Sequence, residues 1–228
     1  MRNIAVILGA GNGTRMKTEK SKLLLEINGI TVIERTVAAF SQHDLIDEII
    51  VVCREKDFND FEKVLFGYEL SYCFGGETRQ QSVANAVDTM EDGECGLIVI
   101  HDGARPLITQ KEITDTINMA KEKGAAAVGV AVKDTIKVVD RDMKIVGTPD
   151  RSSLISIRTP QVFDFKVYKE ALALAIQQKK DFTDDCQLVE NYGKDVYVVS
   201  GDYGNIKITT PEDIPTAQSI LSYRGESA

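Results

Sequence analysis

The sequence predicts an α/β fold with a mainly parallel sheet and helices on both faces. Short β-branched apolar runs alternate with helical patterns from residue 3 to residue 132. Glycine-rich or polar segments follow the first, third and fourth of those runs, where such sheets place their ligand crevice. The alternation then breaks over 134–158 into two short strand-like runs around Asp140-Arg141-Asp142.

Asn3–Leu8 is a buried parallel strand stopped by glycine. Val32, Ile33, Val37 and Phe40 fall at helical spacing, and Glu48–Cys53 is a second strand. Phe58–Leu65 is helical, Leu70–Phe74 a strand, and Arg79–Met90 a helix with Val83, Ala86, Val87 and Met90 on one face. Leu97–Ile100 is a strand, Ile113–Lys123 a helix and Ala125–Val132 a fifth strand. Thr135–Val139 and Lys144–Gly147 form a hairpin arm. An isolated hairpin is marginal in water, so the arm packs on something, and a second copy of the chain is the simplest partner. Beyond it, Phe165–Lys179 and Asp184–Tyr192 are helical, Val196–Ser200 is a strand, and Asn205–Ile208 is a short strand. A last helix opens at Pro211 with Thr210 as its cap. The expected architecture is one Rossmann-like domain over residues 1–228, with the arm inserted at 134–158.

Composition narrows the function classes. Apolar residues make up 43% and charged residues 27%, an ordinary soluble globular balance. The net charge of −8 argues against a general nucleic-acid binder, so any polyphosphate site needs locally placed cations. No run reaches the roughly 20 apolar residues of a membrane span, and the first apolar segment is too short for a signal peptide. A cytoplasmic protein is expected. Cys53, Cys73, Cys95 and Cys186 form no C-x-x-C pair and only His43 and His101 accompany them, so a zinc site is poorly supported and reduced thiols are expected.

The loop Gly9-Ala10-Gly11-Asn12-Gly13-Thr14-Arg15 follows a strand, and its glycines let backbone amides approach phosphate oxygens. Its glycine spacing fails the dinucleotide fingerprint, and it lacks the lysine and hydroxyl residue that end a Walker loop. An arginine, Arg15, followed seven residues on by Lys22 fits a different task, neutralising a cradled triphosphate. A tight turn with solvated charges is the alternative. In His101-Asp102-Gly103-Ala104-Arg105-Pro106, Asp102 at a strand end is placed to hold Mg²⁺ and Arg105 to grip a phosphorylated acceptor. His101, without a serine or cysteine partner, is read as structural. Gly75–Ser82 is open between a base-reading turn and a capped helix start. Lys207 lies within an apolar pattern and needs an anion partner. Arg151 is a surface charge unless the arm crosses to another subunit.

Taken in order, Gly9–Met16 with Lys22, Gly76-Glu77-Thr78-Arg79 with Ser82, His101–Pro106, Asp134-Thr135, Arg158-Thr159-Pro160-Gln161, Phe182-Thr183-Asp184-Asp185 and Asn205–Asp213 resemble the 2-C-methyl-D-erythritol 4-phosphate cytidylyltransferases of the non-mevalonate isoprenoid pathway. The resemblance spans nearly the whole chain. It implies transfer of CMP from CTP to the polyol phosphate with release of pyrophosphate, a divalent cation such as Mg²⁺, and a homodimer with interlocked arms. It implies that Arg15, Lys22, Arg151 and Lys207 carry the chemistry, with Asp102 near the metal. Ala10, Gly11, Gly13, Gly76, Glu77 and Ser82 then surround the nucleotide, and Gly103, Arg105, Thr135 and Thr159 line the acceptor side. The chain departs from the family pattern at Gly9 and Gly103, where alanine is common, at Glu77, often aspartate, and at Ser21-Lys22-Leu23, where Pro-Lys-Gln is usual. These departures bear on loop stiffness and acceptor fit. A cytidylyltransferase for ribitol 5-phosphate is the nearest rival, a non-catalytic nucleotide-binding module the next, and a dinucleotide-dependent oxidoreductase is disfavoured by the failed fingerprint.

Overall fold

The computed structural model describes residues 1–11, 21–91 and 93–226. In chain order the elements are β1 (Arg2–Leu8), β2 (Glu26–Ile27), β3 (Ile30–Thr31), α1 (Val32–Ser41), β4 (Glu48–Cys53), α2 (Phe58–Val64), β5 (Ser71–Phe74), α3 (Arg79–Val87), β6 (Cys95–Asp102), α4 (Gln110–Lys123), β7 (Ala125–Ala131), β8 (Val138–Val139), β9 (Ile145–Gly147), β10 (Ile155–Asp164), α5 (Phe165–Gln177), α6 (Asp185–Asn191), β11 (Tyr197–Ser200) and α7 (Asp213–Arg224). The central sheet has seven strands in the order β11-β7-β10-β6-β1-β4-β5. All of its pairs are parallel except those of β10, which runs antiparallel to both β6 and β7.

Successive side chains of β1 point to opposite faces and so feed two cores. Ala5 and Ile7 pack with Val37 and Phe40 of α1, Ile113 and Ile117 of α4, and Leu221 of α7. Ile4 and Val6 pack with Val83 of α3, Tyr168 and Leu172 of α5, and Leu188 of α6. Burying each large side chain contributes roughly 1.5–3 kcal/mol, which is why the apolar period dominates this fold. Local signals set the helix ends. Thr31, Thr78, Asp164 and Asp184 accept N-cap bonds, and Thr109 with Glu112 closes a capping box on α4. Gly124 ends α4 at φ +89°, a conformation in which a side chain is strained.

Three sequence expectations are corrected here. The first concerns β10, which the sequence hides: Pro160 cannot donate to a ladder and breaks the strand pattern. The structure absorbs it in a register shift between Ile157 and Gln161. The last four residues assigned to the arm, 155–158, therefore belong to the sheet. The second concerns Asn205–Ile208, which is not a strand. One backbone bond, Ile208 N to Ala104 O, ties it to the sheet-end loop, and side chains hold the rest. In the third, the cap of the last helix is Glu212, not Thr210. The Asp213 carboxylate reaches back to accept from the backbone amides of Thr209 and Thr210, so a residue inside the helix orders the chain before it.

The arm forms as an antiparallel pair, β8 with β9. Its apolar residues are open to solvent: Val138 is 51% exposed, Ile145 57% and Met143 76%. No helix among the described residues is long and apolar enough to cross a membrane. Cys53, Cys95 and Cys186 are buried free thiols and Cys73 is half-buried.

Candidate active site

The loops after β1, β5 and β6 meet at one end of the sheet, as strand order required. They enclose a cavity of about 310 Å³, together with Lys22 and the 207–209 segment. Its walls come from Leu8–Gly11, from Gly76–Arg79 with Ser82, and from Asp102 and Ala104, with Lys207 and Thr209 closing one side. Arg15 and Gly13, named from the sequence, lie outside the described residues.

The glycines are fixed by close packing. A Cβ on Gly9 would lie 2.8 Å from Phe61 and 2.9 Å from Val52 O, so the chain can enter the loop only without a side chain there. Gly103 faces Leu8 O and Ile33 in the same way. It lies beneath the cavity and does not line it. Leu23, another departure from the family pattern, is buried against both glycine positions, its Cδ1 3.3–3.4 Å from where either Cβ would stand.

Of the two readings the sequence left open for Gly75–Ser82, the capped helix start is the one seen. Thr78 caps α3 by accepting from Gln81 N. Ser82 Oγ accepts from Gly76 N and donates to Thr78 O. The two glycines are forced by Ala10 and Gln81, whose Cβ atoms would lie 2.3 and 2.5 Å from added side chains. The turn therefore holds the Gly75 backbone against Ala10 and the Gly76 and Glu77 backbone against Gln81, with Ser82 bonded to Gly76 N.

Asp102 ends β6 at the cavity floor. Its Oδ2 accepts from Lys207 Nζ at 2.7 Å, and Arg105 Nε stands 3.6 Å from the same oxygen. Arg79 Nε stands 3.8 Å from Oδ1. Burial opposes its ionisation, but Lys207, Arg79 and Arg105 hold the carboxyl well below the usual carboxylate range. Lys207 thus has the anion partner its position demanded. Lys22 donates to Ile208 O at 2.6 Å, which joins residues 186 positions apart in the chain and sets a second ammonium beside the first.

His101 has the structural role expected of it. Thr159 Oγ1 accepts from Asp102 N, so its own proton goes to His101 Nδ1, and Nε2–H then donates to Arg105 O. Burial against Phe40 keeps the imidazole neutral, with its pKa pushed down to about 3. Thr159 accordingly sits behind Asp102 and outside the cavity wall. Arg105 is turned toward Asp102 and donates to Asn205 O. Glu112, the capping-box residue of α4, accepts from Asp202 N and Asn205 Nδ2 and so anchors the loop that presents Lys207.

Arg151 and Thr135 are not brought to this cavity. Both are exposed on the arm, and Arg151 donates to Lys133 O. The reading of the residues missed one cation on the wall: Arg79, whose Nη1 pairs with Asp185 at 2.5 Å. Both lie in motifs visible in the chain, but only the fold sets them face to face.

The model of the family described as 2-C-methyl-D-erythritol 4-phosphate cytidylyltransferase matches residues 3–223. The chain belongs to this family. Relatives bearing that name include one from Clostridium perfringens, 42% identical over 96% of this chain and 98% of its own, and one from Caldanaerobacter subterraneus, 44% identical over 95% and 97%. Among solved structures, a 4-diphosphocytidyl-2C-methyl-D-erythritol synthase from Anaerococcus prevotii superposes with a TM-score of 0.86 at 35% identity, covering 97% of this chain and 96% of that one. The Thermus thermophilus cytidylyltransferase gives 0.81 at 27%, covering 97% and 100%. The seven-stranded α/β architecture is thus that of the family, and its members are nucleotidyltransferases.

Proposed function

We propose that the cavity binds CTP and transfers CMP to 2-C-methyl-D-erythritol 4-phosphate, releasing pyrophosphate. The observation that carries this is the meeting, in one family member, of a glycine-walled cavity with Lys22, Lys207 and Asp102. The acceptor phosphate oxygen forms a bond to the α-phosphorus of CTP while the bond to the β-phosphate bridging oxygen breaks. The leaving pyrophosphate carries away the electron pair. Lys22, with Arg15 seven positions before it in the chain, neutralises charge gathering on the phosphates, and preorganised cations in a partly dry site stabilise such a transition state strongly. The Gly76–Glu77 backbone, Ser82, Ala10 and Gly11 hold the nucleoside.

Asp102 suits a divalent ion of the Mg²⁺ kind, as a single carboxylate that substrate phosphates would supplement. No group of three or more candidate ligands exists among the described residues, which disfavours an all-protein cage. Bound there, the ion would neutralise phosphate charge. Lys207 and Arg105 bind the acceptor side. Arg151 and Thr135 reach a site only from the partner subunit, which is the reason to propose a homodimer joined through the apolar arms. The enzyme works in the cytoplasm on soluble substrates.

The test is CDP-product formation with methylerythritol phosphate and ribitol 5-phosphate, each with CTP and with UTP. Fastest turnover with CTP and methylerythritol phosphate is expected. Faster turnover of ribitol phosphate would replace the acceptor, and faster turnover with UTP the nucleotide.

A further inference from the structure

The segment Phe182-Thr183-Asp184-Asp185 has no part in the reaction as just described, yet its two aspartates do different things. Asp184 is the half-buried N-cap of α6 and accepts from Gln187 N at 2.8 Å. Asp185 turns inward and is only 2% exposed. A buried carboxylate is costly unless charge and hydrogen bonds compensate it. Here Tyr168 Oη donates to Oδ1 at 2.6 Å, and the Arg79 guanidinium pairs with Oδ2 at 2.5 Å. The backbone amide of Asp185 is held by Gln161 Oε1 at 3.0 Å, which fixes the aspartate to β10.

Arg79 is the other half of this arrangement. It occupies the first turn of α3, where the helix dipole disfavours a cation. Asp185 and Asp102 offset that cost from opposite sides, Asp102 loosely at 3.8 Å. Burial works against the charge, but the two carboxylates more than restore it, and burial with Asp185 keeps Tyr168 protonated as a donor. Arg79 also lines the cavity beside Gly76, Glu77 and Ser82.

We propose that Asp185 is a positioning residue: with Tyr168 it holds Arg79 as a fixed cation of the nucleotide pocket and keeps it from closing onto Asp102. The two carboxylates compete for one guanidinium. Without the Asp185 charge, Arg79, whose Nε already stands 3.8 Å from Asp102 Oδ1, needs to move only about 1 Å to reach hydrogen-bond distance and would capture the group that Lys207 and the phosphates share. This inference rests on the proposed use of the cavity for CTP.

The test is a double-mutant cycle on Arg79→Gln and Asp185→Asn, read as CTP affinity by calorimetry and as turnover, with thermal melting as the fold control. Each single variant should weaken CTP by roughly 10-fold, the scale of one charge-assisted contact, and the double variant should be no worse than Arg79→Gln. Tyr168→Phe, which removes one hydroxyl from the same carboxylate, should move affinity the same way by about 2-fold to 3-fold and keeps the question open to measurement if Asp185→Asn does not fold. A purely structural Asp185 would lower the melting temperature while leaving the affinity of the folded protein unchanged. That result, or losses that multiply in the double variant, overturns the inference alone. Failure of the wild type to bind CTP overturns the proposed reaction and this inference with it.

Discussion

The cavity at the sheet end and the hairpin arm are built on opposite terms. Around Asp102, buried partners hold the charged groups: Lys207 is held by the carboxylate, its loop by Glu112 through Asn205, and the amide of Asp102 by Thr159. On the arm, Arg151 and Thr135 are exposed, and Val138, Val139, Ile145 and Val146 face solvent. Under the proposed function, one half of the site is thus complete within a single chain and the other is carried outward on an apolar projection. An exposed apolar hairpin bearing an arginine makes physical sense when a second copy covers it.

The largest effect should come from breaking the complete half. Lys22→Ala and Lys207→Ala should each lower kcat by about 100-fold or more with melting temperatures close to wild type, because each removes a preorganised cation. Near-normal turnover in both would remove the chemistry from this cavity. Next in size, Arg151→Ala should cost about 10-fold or more in turnover while CTP affinity stays within about 3-fold. Mixing Arg151→Ala with Lys207→Ala protein sharpens the comparison. If the arm works in trans, half the dimers are mixed and carry one intact site, so about a quarter of wild-type activity returns. If it works in cis, the mixture stays inactive. Smaller again, Val139→Lys with Ile145→Lys should give a monomer by light scattering at micromolar concentration and leave CTP affinity nearly unchanged. A persistent dimer would separate the arm from assembly. The smallest effect belongs to Thr109→Ala, which opens the α4 capping box and should cost about 1 kcal/mol of stability without changing turnover.

Much of this was legible in the chain. The β4 boundaries, Glu48–Cys53, follow from an unbroken apolar run, and the Thr78 cap from a hydroxyl three residues before its amide partner. Gly9, Gly76, Lys22 and Asp102, picked out as residue types that phosphate chemistry at strand ends demands, do come together on one cavity. β10 was hidden because Pro160 interrupts it. The segment 205–208 was misread because alternating apolar residues suggest a ladder, whereas the Glu112 carboxylate of α4 and the Arg158 guanidinium and Thr159 carbonyl of β10 supply its partners. Asp185 and Arg79 stand 106 positions apart, and no local pattern marks two residues as opposite charges of one pair.

By itself, the sequence determined most of the strands and helices and marked the glycine-rich and polar loops at the strand ends, because apolar period, caps and glycines act over a few residues. Only the tertiary structure decided which charges would share a carboxylate, that His101 would be neutral and structural, and that Arg151 would lie away from its own chain's cavity. Those outcomes depend on burial and on distances between residues far apart in the chain, where removal of water turns a surface charge into one that must be paired.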